Sequence, residues 1–169
     1  MKSALVKCIM VVIVFGFACN RSTENNNVNN SDSLNLTNSN TESYDSILAK
    51  KYGADQYGMK KYIFAYLKSG PNRSQDSAEA VAIQKGHMTN IQRLANEGKL
   101  ILAGPFLDDT EIRGIFIFDV ESIDEARDLI NTDPAVKSGR LIMELHPWYG
   151  SAGLMELNKI HKKISRDKF

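Results

Sequence analysis

Cysteine is almost missing from this chain. Of 169 residues only Cys8 and Cys19 are cysteine, and both fall at the very start. No disulfide framework can staple the remainder, which must rest on a hydrophobic core. Excess charge of one sign is missing too: Lys and Arg number 21, Asp and Glu 20. Without a concentrated basic face there is nothing to attract nucleic acid. Lys159, Lys162, Lys163, Arg166 and Lys168 read as the solvated face of a C-terminal helix. The three histidines, His87, His146 and His161, are scattered, so no metal-ligand spacing arises. A glycine-rich phosphate loop is also lacking, so no cofactor is expected. Beyond Ala18 there is no apolar run long enough to span a bilayer.

What is present begins with an address. Lys2 and Lys7 supply a positive end, and Cys8 to Ala18 is an apolar run of 11 residues. That length suits a secretory signal and is too short to cross a membrane. The run ends in Phe15-Gly16-Phe17-Ala18-Cys19. Small residues before a cysteine resemble the lipobox of bacterial lipoproteins, in which that cysteine is lipidated and becomes the mature N-terminus. The departure is Gly16, where an aliphatic residue is usual. An ordinary signal with a cysteine nearby is the plain alternative. Asn20 to about Asn40 is rich in Asn, Ser and Thr. Such a segment buries too little surface to offset its conformational entropy, and it would serve as a tether between a lipidated Cys19 and a domain. Tyr44 to Tyr57 reads either as a short helix or as more linker. The division is therefore a signal at 1–19, a flexible tether at 20–58 and a folded domain at 59–169, held at the cell envelope by a lipid anchor.

Within the domain the pattern predicts four strands and two helices, followed by a third helix. Tyr62 to Leu67 is aromatic and aliphatic and stops at Gly70-Pro71, as a strand does. Ser77 to Asn96 is helical, with Ile83, His87, Met88, Ile91, Leu94 and Ala95 at steps of three and four. Leu100 to Ala103 and Ile112 to Val120 are the second and third strands. Ser122-Ile123-Asp124-Glu125 is a capping box that opens a helix, closed by Asp133-Pro134. Leu141 to Leu145 is the fourth strand. A terminal helix carries Leu154, Leu157, Ile160 and Ile164 on one stripe. The order βαββαβ defines an α+β, ferredoxin-like antiparallel sheet with an added C-terminal helix. Both helices would cover one face.

The strands are apolar on both sides. Tyr62, Phe64 and Tyr66 oppose Ile63, Ala65 and Leu67, and Ile115 and Ile117 oppose Phe116 and Phe118. Helices on one face leave the other needing an apolar partner. The simplest is a second copy packed sheet to sheet with a cavity between, a homodimer.

Gly86-His87-Met88, Asn96 to Leu100, Gly104-Pro105-Phe106, Arg113-Gly114-Ile115 and Asp133-Pro134 form one pattern with the Asp133 to Lys137 turn and the Glu144-Leu145-His146-Pro147-Trp148 end. This pattern resembles the YCII-related domain family of dimeric α+β barrels, over roughly Lys60 to Leu154. The resemblance implies the fold, a small-molecule lyase, dehydrochlorinase or isomerase activity, and a histidine paired with an aspartate as the active centre. His87 matches that histidine; Asp108, Asp109 and Asp133 are candidates for its partner.

Each candidate has two readings. His87 lies on the apolar stripe of its helix, and an imidazole titrating at about pH 6.5 suits proton transfer; it could equally be a core-edge histidine bonded to a carbonyl. Gly86, disfavoured inside a helix by about 1 kcal/mol, points to a close approach. Asp108 and Asp109 leave a strand and could orient the imidazole, or simply form a polar loop. Asp133 could do the same, or cap the turn that follows Pro134. Arg113 could hold a substrate carboxylate or sit in a rim salt bridge. Trp148 could line a pocket or staple a dimer. Glu144 and His146 share a face, as a buried pair or at a wet edge. The function expected is a membrane-anchored domain that binds a small molecule in a dimer cavity, acting as a cofactor-independent lyase or isomerase through His87 and an aspartate. The alternative is a non-catalytic binding or assembly module of the envelope.

Overall fold

The computed structural model describes residues 43–167. The signal, Cys19 and the Asn-rich tether lie outside the described residues. The folded unit, Glu42–Phe169, contains all four strands and both hydrophobic clusters, and so carries a complete core of its own. Its elements are α1 (Ser46–Tyr52), β1 (Met59–Ser69), α2 (Ser77–Asn96), β2 (Leu100–Pro105), β3 (Ile112–Phe118), α3 (Ile123–Ile130), α4 (Pro134–Lys137), β4 (Leu141–Ser151), a 3-10 turn (Ala152–Glu156) and α5 (Leu157–Ile164).

The four strands form one antiparallel sheet in the order β2-β3-β1-β4. This is the ferredoxin-like arrangement expected from the βαββαβ order. Local signals set the helix starts. The Asp76 carboxylate accepts from the Glu79 N–H at 2.8 Å to open α2. The Ser122 hydroxyl accepts from the Glu125 N–H at 3.1 Å to open α3, while the Glu125 carboxylate reaches back to the Glu121 N–H at 3.2 Å. The first bond is the Ser122 half of the capping box read from sequence; the return bond reaches the N–H one residue before the N-cap.

Alternation along the strands sends side chains to two different environments. Ile63, Ala65 and Leu67 of β1 and Phe116 and Phe118 of β3 face α2 and α3, where Leu94, Ala126 and Ile130 complete the main core. The opposite face starts from Tyr62, Ile101 and Ile117, and there the chain's own tail supplies cover: Leu154 and Met155 of the 3-10 turn pack on them. The Tyr62 hydroxyl donates to the Ser151 carbonyl at 3.0 Å. Burial, helped by the Asp119 carboxylate, pushes that hydroxyl's pKa up to about 12 and keeps it a donor. The rest of this face is open. Trp148 contacts Tyr62 and Phe64 at ring-centroid distances of 5.9 and 6.1 Å, and Tyr66 meets His146 edge-on.

Three boundaries differ from the sequence reading. Of the two possibilities for Tyr44 to Tyr57, the helix is the one observed. Asp45 caps α1 by accepting from the Ile47 and Leu48 N–H groups, and the buried Tyr52 donates its hydroxyl to Glu156. The described part of the 20–58 segment therefore contains a helix, because one tyrosine ties an otherwise polar stretch to the tail. Glu156 also meets Lys159 at 2.6 Å and Lys51 at 3.5 Å. The Lys159 ammonium first, and then the Tyr52 hydroxyl, pull its carboxyl pKa down to about 2. Next, β4 runs to Ser151, well past Leu145. Pro147 is tolerated there because β4 is an edge strand that pairs only with β1. Gly150 belongs to the same strand: a Cβ there would lie 2.2 Å from the Trp148 ring, so the indole rests on a bare backbone. Finally, β3 stops at Phe118.

Candidate active site

The region around His87 is built by a close contact between two helices. A Cβ on Gly86 would lie 2.8 Å from Cγ of Pro134. Absence of a side chain at 86 thus lets the first residue of α4 seat directly against α2. Pro134 suits the first helical position, where its missing N–H costs nothing. Asp133, just before it, is brought against the next residue of α2, His87.

His87 Nδ1 and Asp133 Oδ2 are 2.7 Å apart. The other carboxylate oxygen accepts the Ala135 N–H at 2.8 Å, capping α4. Asp133 thus meets the imidazole and also caps the turn that follows Pro134. Opposite an ionised carboxylate, which can only accept, Nδ1 would be the donor of this bond. Asp133 is fully buried at 0 % exposure and His87 retains 7 %. The imidazole stacks at 14° to Phe116, with centroids 6.0 Å apart. Nε2 has no hydrogen-bond partner among the described residues.

A second polar layer lies one turn along α2. Asn90 is buried, and its side-chain oxygen accepts from Arg93 Nη2 at 2.8 Å and from the Thr132 hydroxyl at 3.0 Å. Arg93 also meets Thr132 at 2.9 Å and Glu97 at 2.9 Å. This network pins the residue before Asp133 to α2, so the dyad is held from both sides. Asn90 and Thr132 were not singled out from sequence. The available signal was a polar Asn three residues after His87 on a stripe otherwise apolar.

The remaining candidates lie elsewhere. Among the described residues Asp108 meets the Thr110 hydroxyl, at 3.4 Å. Asp109 pairs with Arg113 at 3.0 Å in an exposed loop. Arg113 is thus in a rim salt bridge, and neither acid is brought to His87. Trp148 stands on the open sheet face with Tyr62 and Phe64, whereas His87 stacks on Phe116 of the helix-covered face. The expectation that His87 overlooks the space between two sheets is corrected accordingly: the helical stripe that carries it turns inward, onto its own sheet. Glu144 and His146 form the wet edge, 2.9 Å apart and both exposed. Lys68, 2.7 Å away, is the main cause of the lowered Glu144 pKa. Among the described residues no group of His, Cys, Asp and Glu could hold a metal ion, and no helix is long and apolar enough to cross a membrane. Two cavities, of about 900 and 550 Å³, flank α5 and β4 respectively, and neither is lined by His87 or Asp133.

A four-stranded α+β sheet covered by two helices, with an inward His–Asp pair between α2 and α4, defines the class. The chain belongs to the YCII-related domain family, which matches residues 62–149. It is similar to the uncharacterized protein YjpA of Bacillus subtilis (strain 168), with 30% identity over 86 residues, 51% of this chain and 95% of that protein. A solved structure, the 5-chloro-2-hydroxyhydroquinone dehydrochlorinase of Burkholderia phenoliruptrix AC1100 in complex with 2,5-dihydroxybenzoquinone, shares 25% identity over 52% of this chain and 92% of its own, with a TM-score of 0.38.

The packing predicts two measurable costs. Asp133→Ala removes a buried charge-assisted bond and a helix cap together, and should destabilise the Glu42–Phe169 polypeptide by about 2–5 kcal/mol in urea unfolding. Gly86→Ala should destabilise it by about 1–3 kcal/mol through overpacking, despite alanine's higher helix propensity. Losses below about 0.5 kcal/mol at both positions would show that the two helices are not in this contact.

Proposed function

We propose that the domain binds a small carbonyl, enol or phenolic compound at His87 and transfers a proton through Nε2. The observation that carries this is the 2.7 Å bond between His87 Nδ1 and buried Asp133, with no hydrogen bond to Nε2 among the described residues. Nδ1–H to the carboxylate fixes the tautomer in which Nε2 is the base. As Nε2 takes a proton from carbon, the C–H electron pair becomes a double bond. A β leaving group then departs with its own pair, giving elimination, or the proton returns to another carbon, giving isomerisation. Asp133 stabilises the imidazolium in the interval. Proton transfer of this kind typically contributes about 10²–10⁴-fold. The reaction class, lyase or isomerase, needs no electron carrier.

One observation favours a second reading, a non-catalytic binding or assembly module. The dyad is deeply buried, and Asp133 already has a structural task as the cap of α4. The two readings separate in a thermal-shift panel of small carboxylic and phenolic compounds. A ligand at a hundredfold its Kd stabilises by about 2.7 kcal/mol, several degrees in Tm. The catalytic reading expects a hit whose shift is lost in His87→Ala and in His87→Asn, the latter keeping a donor for Asp133. Turnover of that hit should be lost in both. A broad panel with no hit, or a shift indifferent to both substitutions, supports the module.

We also propose that the open aromatic face packs against a second copy. Exposed Ile142 and Trp148 and half-buried Phe64 and Tyr66 support this. Sedimentation should give a dimer that Trp148→Glu converts to monomer; a wild-type monomer would contradict it. The lipid anchor at Cys19 is the third proposal, supported by the apolar run before it. Cys19→Ala should move the protein from the membrane to the soluble fraction, and unchanged partitioning would argue for an ordinary signal.

A further inference from the structure

The terminal helix is amphipathic, yet none of its residues is buried. Leu157, Ile160 and Ile164 fall at positions i, i+3 and i+7, one stripe. Ile160 is 51 % exposed and Ile164 76 %. The stripe faces a groove that is open to solvent. It forms one wall of the 900 Å³ cavity, with Met88, Ile91 and Ala95 of α2 opposite. Two polar contacts hold α5 at this stand-off. Asn158 donates to the Leu100 carbonyl at 2.9 Å and the Lys162 ammonium reaches the Asn96 side chain at 3.3 Å. An eight-residue helix with an unburied stripe gains little by itself; an occupant of the groove would complete its burial.

Shape and charge identify that occupant. The volume is within the range of small-ligand sites, about 300–1,000 Å³. Just over half of the lining side chains are aliphatic or Met, and the one ring among them is the His161 imidazole, with no Phe, Tyr or Trp. The rim carries Lys162 and Arg166 against one acid, Asp167, which lies 3.6 Å from Arg166. Lys163 on the same turn adds a further positive charge, and α5 itself contains no acidic residue. A cationic rim above an aliphatic trough suits a single-tailed anion. A bilayer surface is flat and cannot reach the floor formed by Leu100, Ile101 and Leu102.

We propose that the groove between α2, β2 and α5 binds a long-chain carboxylate, its tail along the Ile160–Ile164 stripe and its head at Lys162. This site is separate from the His87–Asp133 pair.

The test is calorimetric titration of the Glu42–Phe169 polypeptide with dodecanoate below its micellar concentration. One saturable site per chain is expected. Each methylene buried is worth about a factor of four in affinity, so octanoate should bind at least tenfold more weakly. Dodecyltrimethylammonium, with the same tail and opposite charge, should also be at least tenfold weaker. Ile164→Asp should abolish binding, and Lys162→Glu should weaken dodecanoate while improving the cationic analogue. Both positions are on the surface, and unchanged circular dichroism verifies their folding. No saturable dodecanoate binding, or binding unaltered in Ile164→Asp, would overturn the proposal. So would binding confined to phosphatidylglycerol vesicles, which would make α5 a membrane-surface helix. A fall in sedimenting mass on Ile164→Asp, with no dodecanoate bound by the wild type, would assign the groove to a second copy.

Discussion

The buried hydrogen bond between His87 Nδ1 and Asp133 Oδ2 ties α2 to the start of α4. It requires a glycine at 86, a proline at 134 and a carboxylate with both oxygens engaged. Leaving either partner alone would strand a buried polar group, with a penalty larger than the bond itself is worth. The surrounding residues are arranged to keep it made. Pro134 sits where a Cβ on Gly86 would be, the Ala135 N–H holds the second oxygen, and Asn90 with Arg93 secures Thr132. The geometry that satisfies Asp133 also fixes the orientation of the His87 ring.

The sheet separates two kinds of surface. Its helix-covered face holds the main core and the dyad. Its other face is divided between the chain's own tail, over Tyr62, Ile101 and Ile117, and an open aromatic stretch around Trp148. The His87–Asp133 pair is thus assembled within one chain, and the proposed partner copy would cover only the aromatic half. The tail also stands clear of β2 and α2 along α5, opening the aliphatic groove beside the dyad's helix.

Most of the fold was legible because its determinants are local. Periodicity marks α2, a Ser122–Glu125 capping signal opens α3, and two-sided strands announce a sheet that is apolar on both faces. The candidate site was legible in part. His87 stood out by its glycine neighbour and by the family pattern, but three aspartates competed to be its partner. Choosing Asp133 needed the Gly86–Pro134 contact between residues far apart in sequence, which no local signal encodes. Asn90 is the same case, its partner Thr132 being 42 positions away. Helix α1 was ambiguous because one buried tyrosine is a weak periodic signal. The length of β4 was hidden by Pro147, which reads as a stop unless the strand is known to lie at an edge.

The most direct measurement is a two-dimensional ¹⁵N–¹H spectrum of the His87 ring in the Glu42–Phe169 polypeptide at neutral pH. The account requires the Nδ1–H tautomer, with its proton shifted downfield by Asp133, returning to an ordinary position in Asp133→Asn. It also requires an Nε2 resonance of a bare nitrogen that moves when a ligand binds. An Nε2–H tautomer, or a ring indifferent to Asp133→Asn, would contradict it.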